Sequence, residues 1–386
     1  MGLFDIFRGR GKLEKALREL EAEAPAGEAL LDEGSADEGA LAPALAAKAV
    51  KADAADAPDA RYAEAMGVDP ASLGASPPAL DAAEREIAGA LLEHFEANRP
   101  GPASFPAIAT QVLELVRDPE VQVPALARLI EDDPALSAAV LVLGNSALYR
   151  GVQELRTVKE AIARLGLTEV ARIAAALSTR SLYQAGVRAE FAAFAPQWNR
   201  LFFHAATVAR ASADLAKARR LAEAEAVYLA GMLHDVGKSL ALRSLAALTI
   251  AGQVEVKDDD ALERILHRVH VEVGGAAHQE WGLPRHLAEA AVRHHDAAIP
   301  PGPEHAGLHV VRLVSALHLL HERPALHPDA AAEAVQSARA LGLGPERVAA
   351  LVAAIGETED WVAMMFGDAG GPASAPRGAG GPRPAR

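Results

Sequence analysis

The chain has 386 residues, enough for one large domain or two smaller ones, and 51% of them are hydrophobic, so a sizeable core can be buried. A formal charge of -14 argues against a nucleic-acid or anionic-membrane surface, and the absence of cysteine removes disulfides, thiolate metal sites and cysteine nucleophiles together. No run approaches the roughly 18 consecutive apolar residues of a transmembrane helix. The opening MGLFDIFRGRGK has its short apolar stretch in the wrong order for a secretory signal, and Ile6 stands where a myristoylation signal needs Ser or Thr, so the expectation is a soluble cytoplasmic protein.

Leu3, Phe4, Ile6 and Phe7 precede Arg8, Arg10 and Lys12, a pattern open to two readings: a frayed terminal helix, or a peptide for a membrane surface or partner. Residues 1–100 hold 20 acidic and 10 basic side chains, most of the chain's negative excess. From Leu13 to Leu80 the composition is Ala, Glu, Asp and Pro with few bulky apolar groups, so helix there would have little to bury. Residues 1–80 are therefore expected to be a mostly disordered acidic tether.

Order is expected from Asp81, an N-cap with Glu84 three residues on and Ile87, Leu91, Leu92 and Phe95 along one face, giving a connecting helix within 81–103. From 104 to 366 the apolar spacing is helical throughout. Phe105, Ile108, Val112, Leu115 and Val116 form one stripe; Asp133 and Pro134 start another helix; Thr157 and Glu160 make a capping box closed by Gly166. FAAFAPQWNR reads as a turn with aromatic packing, not a domain boundary. Strand alternation is scarce, so the fold class is all-α, a multi-helix bundle, and residues 367–386, rich in Gly and Pro, are expected to be a disordered tail.

Of 14 histidines, all but His94 follow residue 200. His204 lies on an amphipathic helix. His234 and Asp235 close the run through Leu229, Met232 and Leu233, with Gly237 read as its stop and Lys238 just beyond. His270 precedes Gly274 by one turn, where a missing side chain allows helices to approach closely. His294 and His295 end PRHLAEAAVRHH. Imidazole and carboxylate together suit manganese, iron, nickel or zinc, and ligands from separate helices can meet in a bundle core. A metal held there could activate water and clamp phosphoryl oxygens, with Lys238 adding charge for a phosphate. Each residue also has an ordinary reading: a lone histidine among apolar neighbours is usually a packed, hydrogen-bonded side chain, which is the expectation for His94, His267, His278, His286 and His305. Lys238 alone reads as a helix-end charge.

LHDVGK resembles the motif of the HD superfamily of metal-dependent phosphohydrolases. FPAIATQVLELVRDP, LIEDDPALSAAVLVLGNSALY, TVKEAIARLG, HVEVGGAAHQEWGLP and AVRHH, in that order over residues 105–295, resemble the HDOD domain, a helical regulatory relative in bacterial signalling proteins. The resemblance implies an HD-type bundle. From the active cyclic-dinucleotide branch it implies His204, His234, Asp235, His270, His294 and His295 as ligands for a divalent transition metal. The final Asp of that pattern is Ser315 here, no Gly-Tyr-Pro follows the histidine pair, and Arg200 stands where a three-metal variant needs Glu. His318, one turn after Ser315, is a candidate substitute ligand, set against an ordinary helix-face histidine.

The resulting expectation is a cytoplasmic bacterial signalling protein that binds a partner protein or a nucleotide-like ligand without turnover, and no nucleic acid. The alternatives are a metal-dependent phosphohydrolase acting on a nucleotide or cyclic dinucleotide, in which Lys238 assists, and a scaffold with no ligand site.

Overall fold

The computed structural model describes residues 58–367 apart from 102–103, 119–122, 147–148, 150–152, 185–187, 222 and 297. The expectations for the terminal peptide, for the tether up to residue 57 and for the tail from 368 lie outside the described residues.

Regular structure begins earlier than the composition suggested. Helix α1, Pro58–Met66, buries Tyr62, Ala63 and Met66, and the Tyr62 hydroxyl donates to the Leu343 carbonyl at 2.6 Å. A 3-10 turn, Pro70–Gly74, follows, with Asp69 accepting from the Ala71 N–H. The boundary at residue 81 is therefore corrected: three contact residues suffice for a short helix when a distant part of the chain supplies the surface, and an alanine-rich composition hides them.

Helix α2, Ala82–Ala97, has the predicted Asp81–Glu84 capping box and buries Leu91 and Phe95. Glu84 has a second function, pairing with Arg264 far along the chain. Next come α3 Ile108–Leu115, α4 Val123–Glu131, α5 Pro134–Gly144, α6 Val158–Leu165 and α7 Leu167–Thr179, which pack on one another. Their ends are set locally: Asp133 accepts from the Ala135 and Leu136 N–H groups, Thr157 and Glu160 cap α6 reciprocally, and Gly166 turns the chain at φ 90°, where a side chain would be strained.

A 3-10 turn, Arg180–Tyr183, leads into the second half: α8 Arg188–Ala193, α9 Ala195–Ala218, α10 Ala224–Leu233, α11 Val236–Ile250, α12 Asp259–Trp281, α13 Arg285–Arg293, α14 Ala306–Glu322, α15 Ala330–Ala340 and α16 Pro345–Phe366. Every regular element among the described residues is helical. One continuous apolar cluster runs from Tyr62 to Phe366, so both halves share a core. Buried Arg172 on α7 reinforces the junction through Asp214 at 3.0 Å on α9 and Glu225 at 2.8 Å on α10.

Gly237 does not stop a helix. Helix α10 ends at Leu233, and Gly237 lies in the first turn of α11, where a Cβ would stand 1.9 Å from the His270 carbonyl oxygen and 2.7 Å from the Gly274 nitrogen. Gly237 and Gly274 thus let α11 and α12 touch backbone to backbone. That contact brings the break between α10 and α11 against the middle of α12.

Candidate metal centre

Four helices and one helix break deliver the candidate residues to a common point. His204 comes from α9, His270 from α12, His294 and His295 from the end of α13, and Ser315 from α14. His234 and Asp235 occupy the break itself, with His234 the C-cap of α10 and Asp235 the N-cap of α11. The break is anchored from the first half of the chain: the Tyr183 hydroxyl donates to the Met232 carbonyl, and the Ser239 hydroxyl donates to Leu182 O at 2.8 Å.

Asp235 divides the centre. Its Oδ2 faces His204 Nε2 at 3.4 Å and His234 Nε2 at 3.7 Å, and those two nitrogens are 3.3 Å apart. Its Oδ1 faces His270 Nε2 at 3.3 Å and His294 Nε2 at 3.4 Å, and these nitrogens are likewise 3.3 Å apart. His295 offers a ligand atom within 4.8 Å of the second set. Ser315 Oγ completes the first set, 3.0 Å from His234 Nε2 and 3.4 Å from His204 Nε2. Ligands bound to one zinc at ~2.0–2.1 Å in tetrahedral array stand about 3.3 Å from each other, so both sets already have the spacing of a coordination shell.

The tautomers point the same way. His234 Nδ1 lies 2.8 Å from Gly231 O, His270 Nδ1 2.7 Å from His267 O, and His294 Nδ1 2.8 Å from Ala290 O. A carbonyl only accepts, so each Nδ1 carries the proton and each Nε2 turns a bare lone pair inward. Two such lone pairs facing each other, as in His270 and His294, have no hydrogen between them and repel unless a cation intervenes. Burial holds the side chains in this state: it lowers His204 and His270 well below the usual imidazole range and His234 to about 4. Burial alone would raise the Asp235 carboxyl, but the Lys238 ammonium beside it holds it well below the usual range. Both its oxygens are buried without a hydrogen-bond partner, although Lys238 Nζ forms an ion pair at 2.9 Å. The donor set fits a divalent transition metal on either side of Asp235.

Lys238, itself 2% exposed, is neutralised by Asp235 and by Glu263 at 3.6 Å. It is a buried member of the centre and not the helix-end charge of the ordinary reading. His204 differs from the other three imidazoles. Its Nδ1 meets His318 Nδ1 at 2.8 Å, and His318 Nε2 meets Glu359 Oε1 on α16 at 3.0 Å. The Glu359 carboxylate facing His318 Nε2 favours a proton there, so His318 accepts the Nδ1–H of His204 on its own Nδ1, leaving His204 Nε2 free. His318 therefore sits behind His204, while Ser315 Oγ faces the Nε2 atoms of His204 and His234.

Several residues of this neighbourhood carry no motif. Glu333 on α15 accepts from His295 Nδ1 at 2.8 Å; Glu359, Glu263 and His327 come from distant helices or loops. His267, expected to be an ordinary packed residue, supplies the carbonyl for His270 and stacks edge-on to His295 and His327. His278 is buried against Trp281, away from the candidate ligands. Among these, His267 alone had a sequence signal, three residues before His270 on the same helix face.

Comparison with known proteins follows this geometry. The family model described as the HDOD domain matches residues 103–297. A protein of undescribed role from Treponema pallidum (strain Nichols) is 26% identical over 213 residues, 52% of this chain and 39% of its own length, so the chain spans well under half of that curated relative. Crystal structures with the same fold include an HDOD domain protein of unknown function from Geobacter sulfurreducens, at TM-score 0.51 and 22% identity over 73% of this chain and 99% of that one. A Shewanella amazonensis SB2B protein assigned by name alone to the metal-dependent phosphohydrolases superposes at TM-score 0.50 and 18% identity, over 73% of this chain and 100% of that one. A Marinobacter aquaeolei VT8 protein assigned by name to signal transduction gives TM-score 0.50 and 22% identity, over 77% and 69%.

Proposed function

The chain belongs to the HDOD domain family, and from that premise we propose that it is a regulatory signal-transduction module whose histidine centre holds a divalent metal and recognises a partner or a nucleotide-like ligand without turning it over. The observation that carries this reading is the division of Asp235 between two inward-facing imidazole pairs, with Ser315 completing one of them. His204, His234, Asp235 and Ser315 would hold one ion; Asp235, His270, His294 and His295 the other. Such an ion supplies positive charge and a polarised water or ligand oxygen.

The reasoning is electrostatic. Among the ligands named, Asp235 alone is anionic, and Lys238 stands against it at 2.9 Å. A serine hydroxyl coordinates weakly at neutral pH and adds no charge, so a loaded centre stays short of anionic charge and favours an anion. Loss of the carboxylate also weakens the clamp that hydrolysis needs on both the attacking and the leaving oxygen. Recognition is retained while turnover is lost.

A second reading, a metal-dependent phosphohydrolase acting on a nucleotide or cyclic dinucleotide, is favoured by one observation, the bridging position of Asp235 between two sets. Metal analysis of protein purified without a histidine tag, combined with assay against a panel of nucleotides and cyclic dinucleotides, separates the two. The regulatory reading expects bound metal and no turnover. Metal-dependent turnover abolished by Asp235→Ala would establish the second reading, and absence of bound metal would refute both.

A further inference from the structure

Two cavities adjoin the centre, and they differ in charge. The narrower, about 30 Å³, reaches His204 and Asp235. Its lining cations, Arg200, Lys238 and Arg323, are matched by Asp235, Glu263 and Glu322, and Arg200 and Arg323 are already committed to Asp259. Without a bound metal its charges balance, and its volume is too small for an anion of mononucleotide size.

The wider cavity, about 340 Å³, shares Glu263 and His327 with the first and is of a size that small-molecule sites use. Three arginines line it, Arg85, Arg264 and Arg268, against the single carboxylate of Glu263. That is a local positive excess on a chain of net charge -14. Arg264 is partly neutralised by Glu84, whereas Arg85 hydrogen-bonds only a carbonyl, Leu80 O, and Arg268 has no ion-pair partner among the described residues. His327 lines the same cavity at 1% exposure, with both ring nitrogens lacking a hydrogen-bond partner. His327 Nε2 stands 3.6 Å from Glu263, but neither ring nitrogen makes a hydrogen bond, and beside the exposed guanidiniums the imidazole adds an N–H donor to the lining. The segment from Pro77 to Leu80, stiffened by two consecutive prolines, forms a further part of the lining.

We propose that this cavity is a binding pocket for a phosphoryl-bearing anion of mononucleotide size, held by Arg85 and Arg268 with His327 donating from the floor. The pocket is built largely by segments flanking residues 103–297: the wall 77–80, Arg85 and the loop at Leu326 and His327 all lie outside the stretch that the family model matches. Ligand selectivity accordingly belongs to this chain's own flanks. The pocket also communicates with the centre, because Glu263, which forms part of its lining, pairs with Lys238.

The pocket names the ligand class for the regulatory reading and rests on it, so the test is run on metal-free protein, where the two can fail separately. The full chain, stripped of metal, is titrated calorimetrically with inorganic pyrophosphate and with AMP. Saturable binding is expected, weakened about tenfold by Arg268→Gln and by Arg85→Gln. Arg268 is solvent-exposed and unpaired, so its variant is expected to keep the wild-type unfolding midpoint. Absence of binding, or binding that both arginine variants retain, overturns the proposal. Metal content, measured in parallel, judges the centre independently of the pocket.

Discussion

Ser315 Oγ lies 3.0 Å from His234 Nε2 and 3.4 Å from His204 Nε2, at the place in the first ligand set where a carboxylate oxygen would stand beside Asp235. The backbone of α14 already delivers the residue to that point. Ser315→Asp is therefore expected to raise affinity for Mn²⁺ or Zn²⁺ by about tenfold or more, since it adds a charged ligand without moving a helix. Metal titration of the stripped variant against the stripped parent measures this. An unchanged affinity would show that the first set does not take an ion.

Asp235 serves both sets and neutralises a buried lysine. Asp235→Asn is expected to reduce bound metal to background. It also leaves Lys238 with Glu263 at 3.6 Å as its remaining ion-pair partner, a cost of about 3 kcal/mol in the metal-free protein. Elemental analysis checks the first outcome, and urea unfolding of stripped samples the second.

His318 stands behind His204 and outside the ligand set, so its removal should weaken binding without abolishing it. His318→Ala is expected to cost about tenfold in metal affinity, because His204 then loses the acceptor that fixes its tautomer. Glu359→Gln should do the same to a smaller degree, acting through His318 from α16. Complete loss of metal in His318→Ala would instead make His318 a direct ligand.

Gly237 is a steric requirement of the α11–α12 contact. Gly237→Ala puts a methyl group 1.9 Å from the His270 carbonyl carbon's oxygen, and rigid backbone on both sides leaves no side chain to yield. The expected loss is about 3 kcal/mol of stability, with metal affinity reduced as well because Asp235 and His270 are pushed apart. Gly252→Ala, at a surface turn with φ 68°, provides a control for backbone strain alone.

His278 sets a pH dependence separate from the centre. Burial lowers it from 6.5 to about 4. A histidine whose folded value is depressed binds more protons when unfolded, so its contribution is fully present above pH 6.5 and is lost as pH falls toward 4. The full shift corresponds to about 3 kcal/mol. Unfolding free energies of wild type and His278→Asn between pH 7.5 and about 5 should converge as pH falls, with the wild type losing the more. Parallel curves would contradict this.

Helix starts and stops were legible in the chain because they are local. The Asp81–Glu84 box, the Asp133–Pro134 start and the Thr157–Glu160 box with Gly166 each involve residues within one or two turns, so short-range hydrogen bonding decides them. Helix α1 at Pro58–Met66 was not legible, since Tyr62 is tied to a surface formed some 280 positions later. Gly237 was misread for a related reason: glycine as helix stop and glycine as close-approach site look alike until a second helix is placed against it.

For the centre, the sequence by itself offered the candidate side chains, His204, His234, Asp235, His270 and the 294–295 pair, and its resemblance to the HD pattern implied that Ser315 stands where a carboxylate is expected. The tertiary structure alone decided the rest: that Asp235 turns one oxygen to each imidazole pair, that Lys238 is buried against it, that His318 lies behind His204, and that Glu263, Glu333 and Glu359 surround the site. Residue types and helical spacing are properties of neighbours along the chain. The direction in which an imidazole nitrogen points is fixed by carbonyls and carboxylates on other helices, and no motif records where those will pack.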